Sequence, residues 1–273
     1  MMVKDDAAFV DLGDIKLCYQ VRGDGPRLIC ISGTNSDLRN KPSMFDAPGA
    51  SDFEMLCYDH RCMGRSTVPD TTPSMADFAE DAASLLDYLG WSSTAVLGFS
   101  FGGMVAQEFA LRHPTRVSRM ALGCTSSGGR GGSSFAFETL ENLNPGEYAD
   151  KMMELLDNRH DAGWRAREPD EAARIRSFWE ENLRKHWSDT AQRAALAKQL
   201  AGRNGHDTYD RLSQLKMPVL VCGGEFDAVA PPENSQAVAD AIPNSQLNMF
   251  QGGHFFMMDD PSAMPKIFEF LSL

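Results

Sequence analysis

The chain has 273 residues, of which 42% are hydrophobic, and a formal net charge of −12. A chain of this length buries most of the surface that its unfolded form exposes, so we expect one core with a modest insertion. The acidic balance disfavours nucleic acid and anionic membranes as partners, because both carry negative charge.

Neither the cysteines nor the apolar runs point to a secreted, metal-binding or membrane protein. The six cysteines include no C-x-x-C pair and no His/Cys cluster with zinc spacing, so we interpret them as buried, reduced thiols and expect no metal and no cofactor. The first residues lack the apolar stretch of a signal peptide, and no run approaches the roughly 18 apolar residues of a membrane span. The sequence therefore predicts a cytoplasmic protein, with monomer and homodimer both open.

Strand-like segments dominate the first quarter of the chain. The segments at 8–14 and 15–23 are joined at a Gly-Asp turn, and strands at 27–33 and 53–60 follow. The stretch between the last two, TNSDLRNKPSMFDAPGAS, is predicted to be a loop with one short helix.

Helices and strands alternate in the next part of the chain. The clearest helix is 73–89, in which apolar residues recur at spacings of three and four on one face. The wholly apolar strand at 93–99 is of the kind found when both faces of a sheet are covered. A helix at 104–113, stopped by Pro114, and a strand at 117–124 follow. This alternation favours an α/β fold, with a mostly parallel sheet and helices on both faces.

The pattern changes after Thr125. The stretch SSGGRGGSS is typical of a flexible linker, and helical patterns follow at 145–159, 170–187 and 189–203 without a strand among them. The sheet then resumes with a strand, a helix, a strand and a closing helix that has to accommodate Pro265; these segments are 216–227, 232–242, 245–253 and 260–273. The sequence therefore predicts a parallel sheet interrupted by an all-helical insertion.

A candidate nucleophile, Ser100, lies in GFSFG between the strand at 93–99 and the helix after it. A non-glycine residue at the tip of such a tight turn must adopt a strained backbone, and the glycines at 98 and 102 allow strand and helix to approach. This geometry lifts the hydroxyl clear of the sheet. It also points the amide of Phe101, at a helix N-terminus, towards a developing oxyanion. A pattern with three fixed positions also arises by chance, but its strand-turn-helix context favours catalysis.

A serine hydroxyl needs a base, and the base needs a carboxylate to hold it in one tautomer. Asp227 and His254 each follow an apolar strand and paired glycines, so we expect both at the same sheet edge as Ser100. The chain order Ser, Asp, His is that of hydrolases with this arrangement.

Other residues compete for these two roles. His60 is the rival base, since it also follows a strand. Glu225 and Asp59 are the rival acids, although Glu225 lies closer to its strand, and Asp59 with Arg61 suggests an ion pair that fixes a loop. We favour the pair at positions 227 and 254.

Taken together, the motifs resemble those of the α/β-hydrolase superfamily over nearly the whole chain. The matching elements are GFSFG for the nucleophile elbow, GGEFDAVAPP and GGHFF for the acid and base loops, and YDHRCMGRS, which resembles the D-x-R-G-x-G-x-S loop after the fourth strand. The resemblance implies an eight-stranded, mostly parallel sheet with a helical cap inserted after the sixth strand. It places the core domain at 1–126 and 213–273 and the cap at 127–212.

Two positions depart from the family's pattern. The family often shows His-Gly after the third strand, where this chain has Ser32 and Gly33, and Cys62 replaces the usual glycine after Arg61. By position in the family, the amide of Thr34 is the second oxyanion donor. The stretch SGTNSDLR resembles loops of enol-lactonase-like members.

The resemblance implies hydrolysis of a small-molecule substrate through an acyl-enzyme, and we expect a hydrophobic carboxylic ester or lactone. The same triad supports C–C bond hydrolysis, amide hydrolysis, acyl transfer to an alcohol and cofactor-free perhydrolysis, which all stay open. A ligand receptor without turnover is the non-enzymatic alternative. The insertion is expected to supply substrate contacts through side chains that could equally form its own core, namely Phe135, Phe137, Met152, Trp164, Trp179 and Trp187.

Overall fold

The computed structural model describes residues 7–273, apart from the side chains at positions 182 and 185–188. The strands of this part are β1 (Ala8–Asp11), β2 (Lys16–Arg22), β3 (Arg27–Ile31), β4 (Glu54–Tyr58), β5 (Thr94–Phe99), β6 (Val117–Gly123), β7 (Val219–Gly224) and β8 (Ser245–Phe250). They form one sheet in the order β1-β2-β4-β3-β5-β6-β7-β8, in which β1 and β2 are antiparallel to their neighbours and the rest are parallel. The predicted eight-stranded, mostly parallel sheet is confirmed.

Helices cover both faces of this sheet. Side chains that alternate along β5 point to opposite faces. The helices are α1 (Met75–Tyr88), α2 (Phe101–Arg112), α3 (Pro145–Leu156), α4 (Ala162–Arg167), α5 (Pro169–Ser188), α6 (Thr190–Arg203), α7 (Pro232–Ala241), α8 (Phe256–Asp259) and α9 (Ala263–Ser272), with 3₁₀ turns at Met44–Asp46, Ala50–Asp52, Pro114–Arg116, Gly129–Gly131, Phe137–Leu140 and Tyr209–Gln214. Val96 joins a core that includes α1, α2 and α7, whereas Leu97 joins one that includes α9. The predicted two-sided α/β arrangement is therefore confirmed.

Hydrogen bonding in the first turn explains where α1 begins and why α9 can contain a proline. Helix α1 starts at Met75 because the Ser74 hydroxyl accepts a hydrogen bond from the Asp77 amide, and the Asp77 carboxylate accepts one in return from the Ser74 amide. Helix α9 accommodates Pro265 because this is its third residue, where an N–H would have no carbonyl partner within the helix.

The chain between β6 and β7 is helical, as predicted. Helices α3, α5 and α6 match the three predicted patterns, and α4 is an additional short helix whose N-cap is Asp161. We call residues 127–212 the inserted segment. Side chains of α3 form a small core with the 3₁₀ turn at Phe137–Leu140, so part of this segment packs on itself.

The predicted flexible linker at 126–134 is wrong. Residues 126–128 are buried, and Gly128 pairs with Asp207 in an isolated β-bridge. A Cβ on Gly128 would lie 1.9 Å from the carbonyl oxygen of His206, so the glycine permits close approach of two backbone segments. The glycine-rich stretch is therefore a packed junction between β6 and the inserted segment.

Candidate active site

The turn between β5 and α2 consists of Ser100 alone. Its backbone has φ 53° and ψ −119°, a conformation that costs a non-glycine residue about 1–3 kcal/mol and persists only where the surroundings impose it. The Ser100 amide donates to the Gly123 carbonyl at 2.8 Å, and the Thr125 hydroxyl donates to the Ser100 carbonyl at 2.8 Å. These bonds from β6 and the residues after it hold the strained turn in place.

The elbow glycines are required by close packing, which gives a prediction about stability. A Cβ on Gly102 would lie 2.0 Å from the carbonyl oxygen of Ile31, at the end of β3. Because the obstacle is backbone, we expect Gly102→Ala to lower the free energy of unfolding by about 3 kcal/mol or more in urea denaturation. Gly205→Ala is the control, since a Cβ there meets nothing within 4 Å. Equal stability of the two variants would contradict the packing argument.

The structure brings Ser100, Asp227 and His254 together. His254 Nε2 lies 3.0 Å from Ser100 Oγ, and His254 Nδ1 lies 2.8 Å from Asp227 Oδ2. Asp227 follows β7 and His254 follows β8, so neighbouring parallel strands deliver both side chains to one edge of the sheet. The carboxylate makes Nδ1 the protonated nitrogen, which leaves Nε2 able to accept the serine proton.

The Asp227 carboxylate is held by its own loop. Its Oδ1 accepts from the amides of Val229 at 2.8 Å and Ala230 at 2.9 Å, while Oδ2 faces His254. Asp227 is 1% exposed, so rotating the carboxylate would leave these buried amides without partners. The carboxylate is therefore fixed in the orientation that the imidazole requires.

The C-terminal end of α3 contacts the loops that carry Asp227 and His254. The Leu155 carbonyl accepts from the Ala228 amide at 3.0 Å, and the Leu156 carbonyl accepts from the His254 amide at 2.6 Å. The last carbonyls of a helix have no partner within it, so these amides satisfy the end of α3. The inserted segment is thereby tied to both loops through backbone atoms, and no residue pattern in the sequence indicates this contact.

Both candidate oxyanion donors lie close to Ser100. Phe101 is the first residue of α2, so its amide has no carbonyl partner within the helix. A Cβ on Gly33 would lie 3.5 Å from Ser100 Cβ, and Thr34 is the next residue. The Thr34 hydroxyl is buried, with no hydrogen-bond partner in the described part of the chain.

The inserted segment also holds the loop that carries Thr34. Gln199 on α6 is fully buried, its Oε1 accepts from the Asn35 amide at 3.2 Å, and its Nε2 lies 3.4 Å from Met63 Sδ. No motif in the sequence marks Gln199, because a glutamine on a polar helix usually faces solvent. This residue joins α6 to the loop beside the candidate nucleophile.

The rival base, His60, is bonded to the loop after β3, and it is not the histidine that contacts the Ser100 hydroxyl. It is fully buried, its Nε2–H donates to the Ser32 carbonyl at 3.1 Å, and its ring contacts Tyr58, Phe78 and Phe101 edge-on. Burial lowers the pKa of His60 from 6.5 to about 4. His60 is therefore a neutral, packed side chain between the Ser32 carbonyl and the Phe101 ring.

The neutral state of His60 predicts a pH dependence of stability. In the unfolded chain the imidazole takes up a proton near pH 6.5, whereas in the folded protein it does so only near pH 4. The free energy of unfolding should therefore fall as the pH drops from about 6.5 towards 4, and His60 should account for about 2 kcal/mol of the loss between pH 7 and 5. Urea denaturation at both pH values should show that loss shrinking by this amount in His60→Gln. An unchanged pH dependence in the variant would contradict the assignment.

The rival acids have structural partners instead. Asp59 accepts from two backbone amides, at 2.8 and 3.0 Å, and joins the loop after β3 to the loop after β4. Glu225 accepts from a glutamine side chain at 2.6 Å at an exposed position. The predicted ion pair between Asp59 and Arg61 is wrong, because Arg61 makes two 2.6 Å hydrogen bonds to the buried Asp81 on α1. Asp59 and Arg61 are only two residues apart in sequence, but their side chains bind different partners.

Cys62 occupies a backbone conformation that suits glycine. Its φ is 68°, in the left-handed region where a side chain is disfavoured. This geometry explains why a glycine is usual at the matching position of the family motif. Burial raises the pKa of the Cys62 thiol, so it stays protonated at neutral pH.

The candidate substrate contacts of the inserted segment pack mainly against one another. Phe135, Phe137, Met152 and Trp179 belong to a cluster with side chains of the loop after Asp227. Trp164 packs on the His160 ring, with the centroids 4.2 Å apart. The side chain of Trp187 lies outside the described residues.

A cavity of about 410 Å³ adjoins the site. All of its lining residues lie outside the inserted segment. It lies between the loop after β3, the ends of β3 and β4, and residues 255–264. Gly33, Phe99 and Phe255 line it, and they are neighbours of Ser100 or His254. None of the five described candidates from the inserted segment lines this cavity.

Among the described side chains, which leave out positions 182 and 185–188, no three His, Cys, Asp or Glu come together in an arrangement that could hold a metal ion. No helix in the described part of the chain is both long enough and apolar enough to cross a membrane.

Comparison with known proteins gives the same fold. A poly(3-hydroxyalkanoate) depolymerase of Ectopseudomonas oleovorans is 27% identical over 227 residues, which cover 81% of this chain and 75% of that protein. The structure of Est816, an N-acyl homoserine lactone degrading enzyme, is 25% identical with a TM-score of 0.73 and covers 96% of this chain and 99% of its own. The enol-lactonase from Burkholderia xenovorans LB400 has a TM-score of 0.75 at 21% identity, over 97% of this chain and 100% of its own, which shows a likeness of fold.

A family model described as alpha/beta hydrolase fold matches residues 26–261, which is most of the chain. The resemblance inferred from the elbow and loop motifs is thereby confirmed. The chain belongs to the alpha/beta hydrolase fold family, and the protein is a hydrolase of that fold.

Proposed function

We propose that the protein is a serine hydrolase that cleaves a small, hydrophobic carboxylic ester or lactone through an acyl-enzyme. The observation that carries this proposal is the continuous hydrogen-bonded series from Ser100 to His254 to Asp227, with distances of 3.0 and 2.8 Å. A poor nucleophile, a base and a tautomer-fixing carboxylate are the three parts that acyl transfer to a serine needs.

In the proposed mechanism, His254 Nε2 removes the proton from Ser100 Oγ as the oxygen attacks the substrate carbonyl carbon. The amides of Phe101 and Thr34 donate to the carbonyl oxygen as it gains negative charge, and Asp227 stabilises the imidazolium. The imidazolium then gives its proton to the leaving alkoxide, which departs as an alcohol and leaves an ester on Ser100. His254 then takes a proton from water as the water attacks that ester, and it gives this proton to Ser100 Oγ as the acid is released, which restores the serine. No cofactor takes part.

The apolar character of the proposed substrate rests on the cavity and on the relatives. The lining of the cavity beside Gly33 includes many apolar side chains, which favours a hydrophobic ligand over a charged one. One relative is named for depolymerising poly(3-hydroxyalkanoate), and a solved neighbour is named for degrading a lactone. Both names are compatible with acyl chemistry on an oxygen ester.

We also propose how the chain divides into domains and in which cellular compartment the enzyme acts. Residues 1–126 and 213–273 form the core domain, and residues 127–212 act as a cap that contacts the loops of Asp227 and His254 through the end of α3. The cysteines form no disulfide among the described residues, which suits a reducing compartment, and we place the enzyme in the cytoplasm.

A substrate panel tests the reaction class. We expect p-nitrophenyl esters and γ-lactones to be hydrolysed by the wild type, and p-nitroanilides and β-diketones to be turned over far more slowly. Turnover of the anilide or the diketone alone would replace ester hydrolysis by amide or C–C bond hydrolysis. Tight binding of these ligands with no turnover of any of them would favour a receptor.

A further inference from the structure

The cavity beside Ser100 is built by the core elements of the fold. The loop after β3 forms no regular α-helix before β4, only two 3₁₀ turns, and the space it leaves over the sheet is the cavity. The apolar lining includes Met44, Phe45 and Ala47 from this loop and Met257 and Met264 from the opposite wall. Methionine side chains are unbranched and flexible, so these walls can adapt to an aliphatic chain.

Two carboxylates at the cavity wall are engaged with other groups of the protein, whereas the buried, neutral Tyr58 hydroxyl has no hydrogen-bond partner in the described part of the chain. Asp37 binds the Arg39 guanidinium, and Asp59 accepts from two backbone amides. A hydrogen bond with Cys57, together with burial, raises the pKa of the Cys30 thiol, so it stays uncharged. The cavity therefore offers a ligand neutral, apolar contacts in preference to a charged partner.

The cavity has an apolar rim next to the base. Phe255, which follows His254 directly, and Met258 both line the cavity and are 44% and 67% exposed. Large exposed apolar side chains at the edge of a concave site mark a place where an apolar ligand is bound. Gly33, which lacks a side chain, also lines the cavity, adjoins Ser100 and belongs to the loop that would receive the carbonyl oxygen.

We infer that this cavity binds the acyl chain of the substrate, and that the loop after β3 and α9, instead of the inserted segment, set chain-length specificity. The inference rests on the proposed function, since it places the acyl group of the Ser100 ester. We assign the acyl group to the cavity because it stays bonded to Ser100 in the acyl-enzyme, and Gly33 of the cavity lining adjoins Ser100. The alcohol, in contrast, leaves once it has taken the proton from His254 Nε2. The substrate class is therefore an aliphatic acyl ester longer than acetate.

The test compares p-nitrophenyl acetate, butyrate and hexanoate on the wild-type protein. Each methylene that enters an apolar site should raise kcat/KM about fourfold, so hexanoate should exceed acetate by at least about tenfold. Lengthening the alcohol instead, from ethyl to hexyl acetate, should change kcat/KM by less than about threefold because that group stays outside the cavity. Equal rates across the acyl series, or a larger effect of the alcohol series, would overturn the inference.

Variants of the cavity wall separate it from the inserted segment. Ala47→Phe fills the cavity and should lower kcat/KM for hexanoate about tenfold while acetate stays within about twofold. Ala173→Phe, at an exposed position of α5, is the matched control and should change neither. If Ala47→Phe does not fold, Met44→Ala is the alternative, because it removes a side chain from the same wall and enlarges the cavity. The acyl length with the highest kcat/KM should then move to octanoate or longer. Parallel losses on acetate and hexanoate, or an unmoved optimum in Met44→Ala, would overturn the inference.

Acyl binding in the cavity and ester hydrolysis by Ser100 can be tested separately. Binding of hexanoate ester to Ser100→Ala, measured by isothermal titration, reports the cavity without turnover, and it should weaken when Ala47→Phe is added. Binding that weakens in this way, with no hydrolysis by the wild type, would support the cavity and contradict the proposed reaction. Hydrolysis without any dependence on acyl length would support the reaction and overturn the cavity.

Discussion

Ser100→Ala is expected to reduce kcat for an ester substrate by about 10⁶, because the variant has no nucleophile. The hydroxyl that lies 3.0 Å from His254 Nε2 is the only group in the proposed mechanism that forms the covalent bond. The backbone around position 100 is held by β6 and Thr125, so the variant should keep its fold and its melting temperature. Turnover under excess substrate measures the effect, with residual activity compared against the uncatalysed rate.

Ser118→Ala is the matched control for this experiment. Ser118 is an exposed serine on β6, and its loss should leave kcat unchanged. Residual activity of Ser100→Ala within about a hundredfold of the wild type would show that another residue carries the reaction.

Asp227→Asn is expected to lower kcat by about 10⁴. The asparagine oxygen can still accept from the amides of Val229 and Ala230, so the loop should stay in place. Its NH₂ group would then face His254 Nδ1 and donate to it, which moves the imidazole proton to Nε2. In that tautomer Nε2 cannot accept the proton of Ser100, and the base is lost without loss of the fold.

Glu225→Gln provides the comparison for the acid. Glu225 lies two residues before Asp227 but is exposed and bonded to Gln251, so its variant should retain nearly full activity. Loss of activity in Glu225→Gln with retention in Asp227→Asn would exchange the two roles.

The elements that carry the candidate triad could be predicted because local sequence and topology agree there. Apolar strands that end in glycines specify where β5, β7 and β8 stop, and parallel strands place those ends at one edge of the sheet. That Ser100, Asp227 and His254 lie together can therefore be predicted from the strand ends alone. The strained turn at Ser100 follows from the same pattern, since only glycine at 98 and 102 leaves room for it.

Other features depend on contacts between segments that are distant in sequence. The stretch 126–134 has the composition of a tether, but its glycines are needed where the chain passes against His206 and Asp207. Arg61 is two residues from Asp59 in the loop after β4, yet it binds Asp81 on α1. Composition and spacing describe neighbours in the chain, so they cannot specify such partners.

The contributions of the inserted segment to the site were the least accessible from sequence. Its aromatic residues are the sequence's candidates for substrate contacts, but most of them pack against one another. The groups that contact the candidate catalytic loops are the carbonyls of Leu155 and Leu156 and the amide side chain of Gln199. Backbone carbonyls occur at every residue, so their role is visible only once α3 and α6 are placed against β7, β8 and the loop after β3.

The most direct test of an activated serine is the intact mass of the protein after reaction with a fluorophosphonate. The wild type should gain the mass of one phosphonyl group, Ser100→Ala should gain none, and His254→Ala should react far more slowly because its serine has no base. Ser118→Ala should react like the wild type. A folded wild-type protein that gains no mass, or a Ser100→Ala variant that still gains it, would contradict the assignment of Ser100 as the nucleophile.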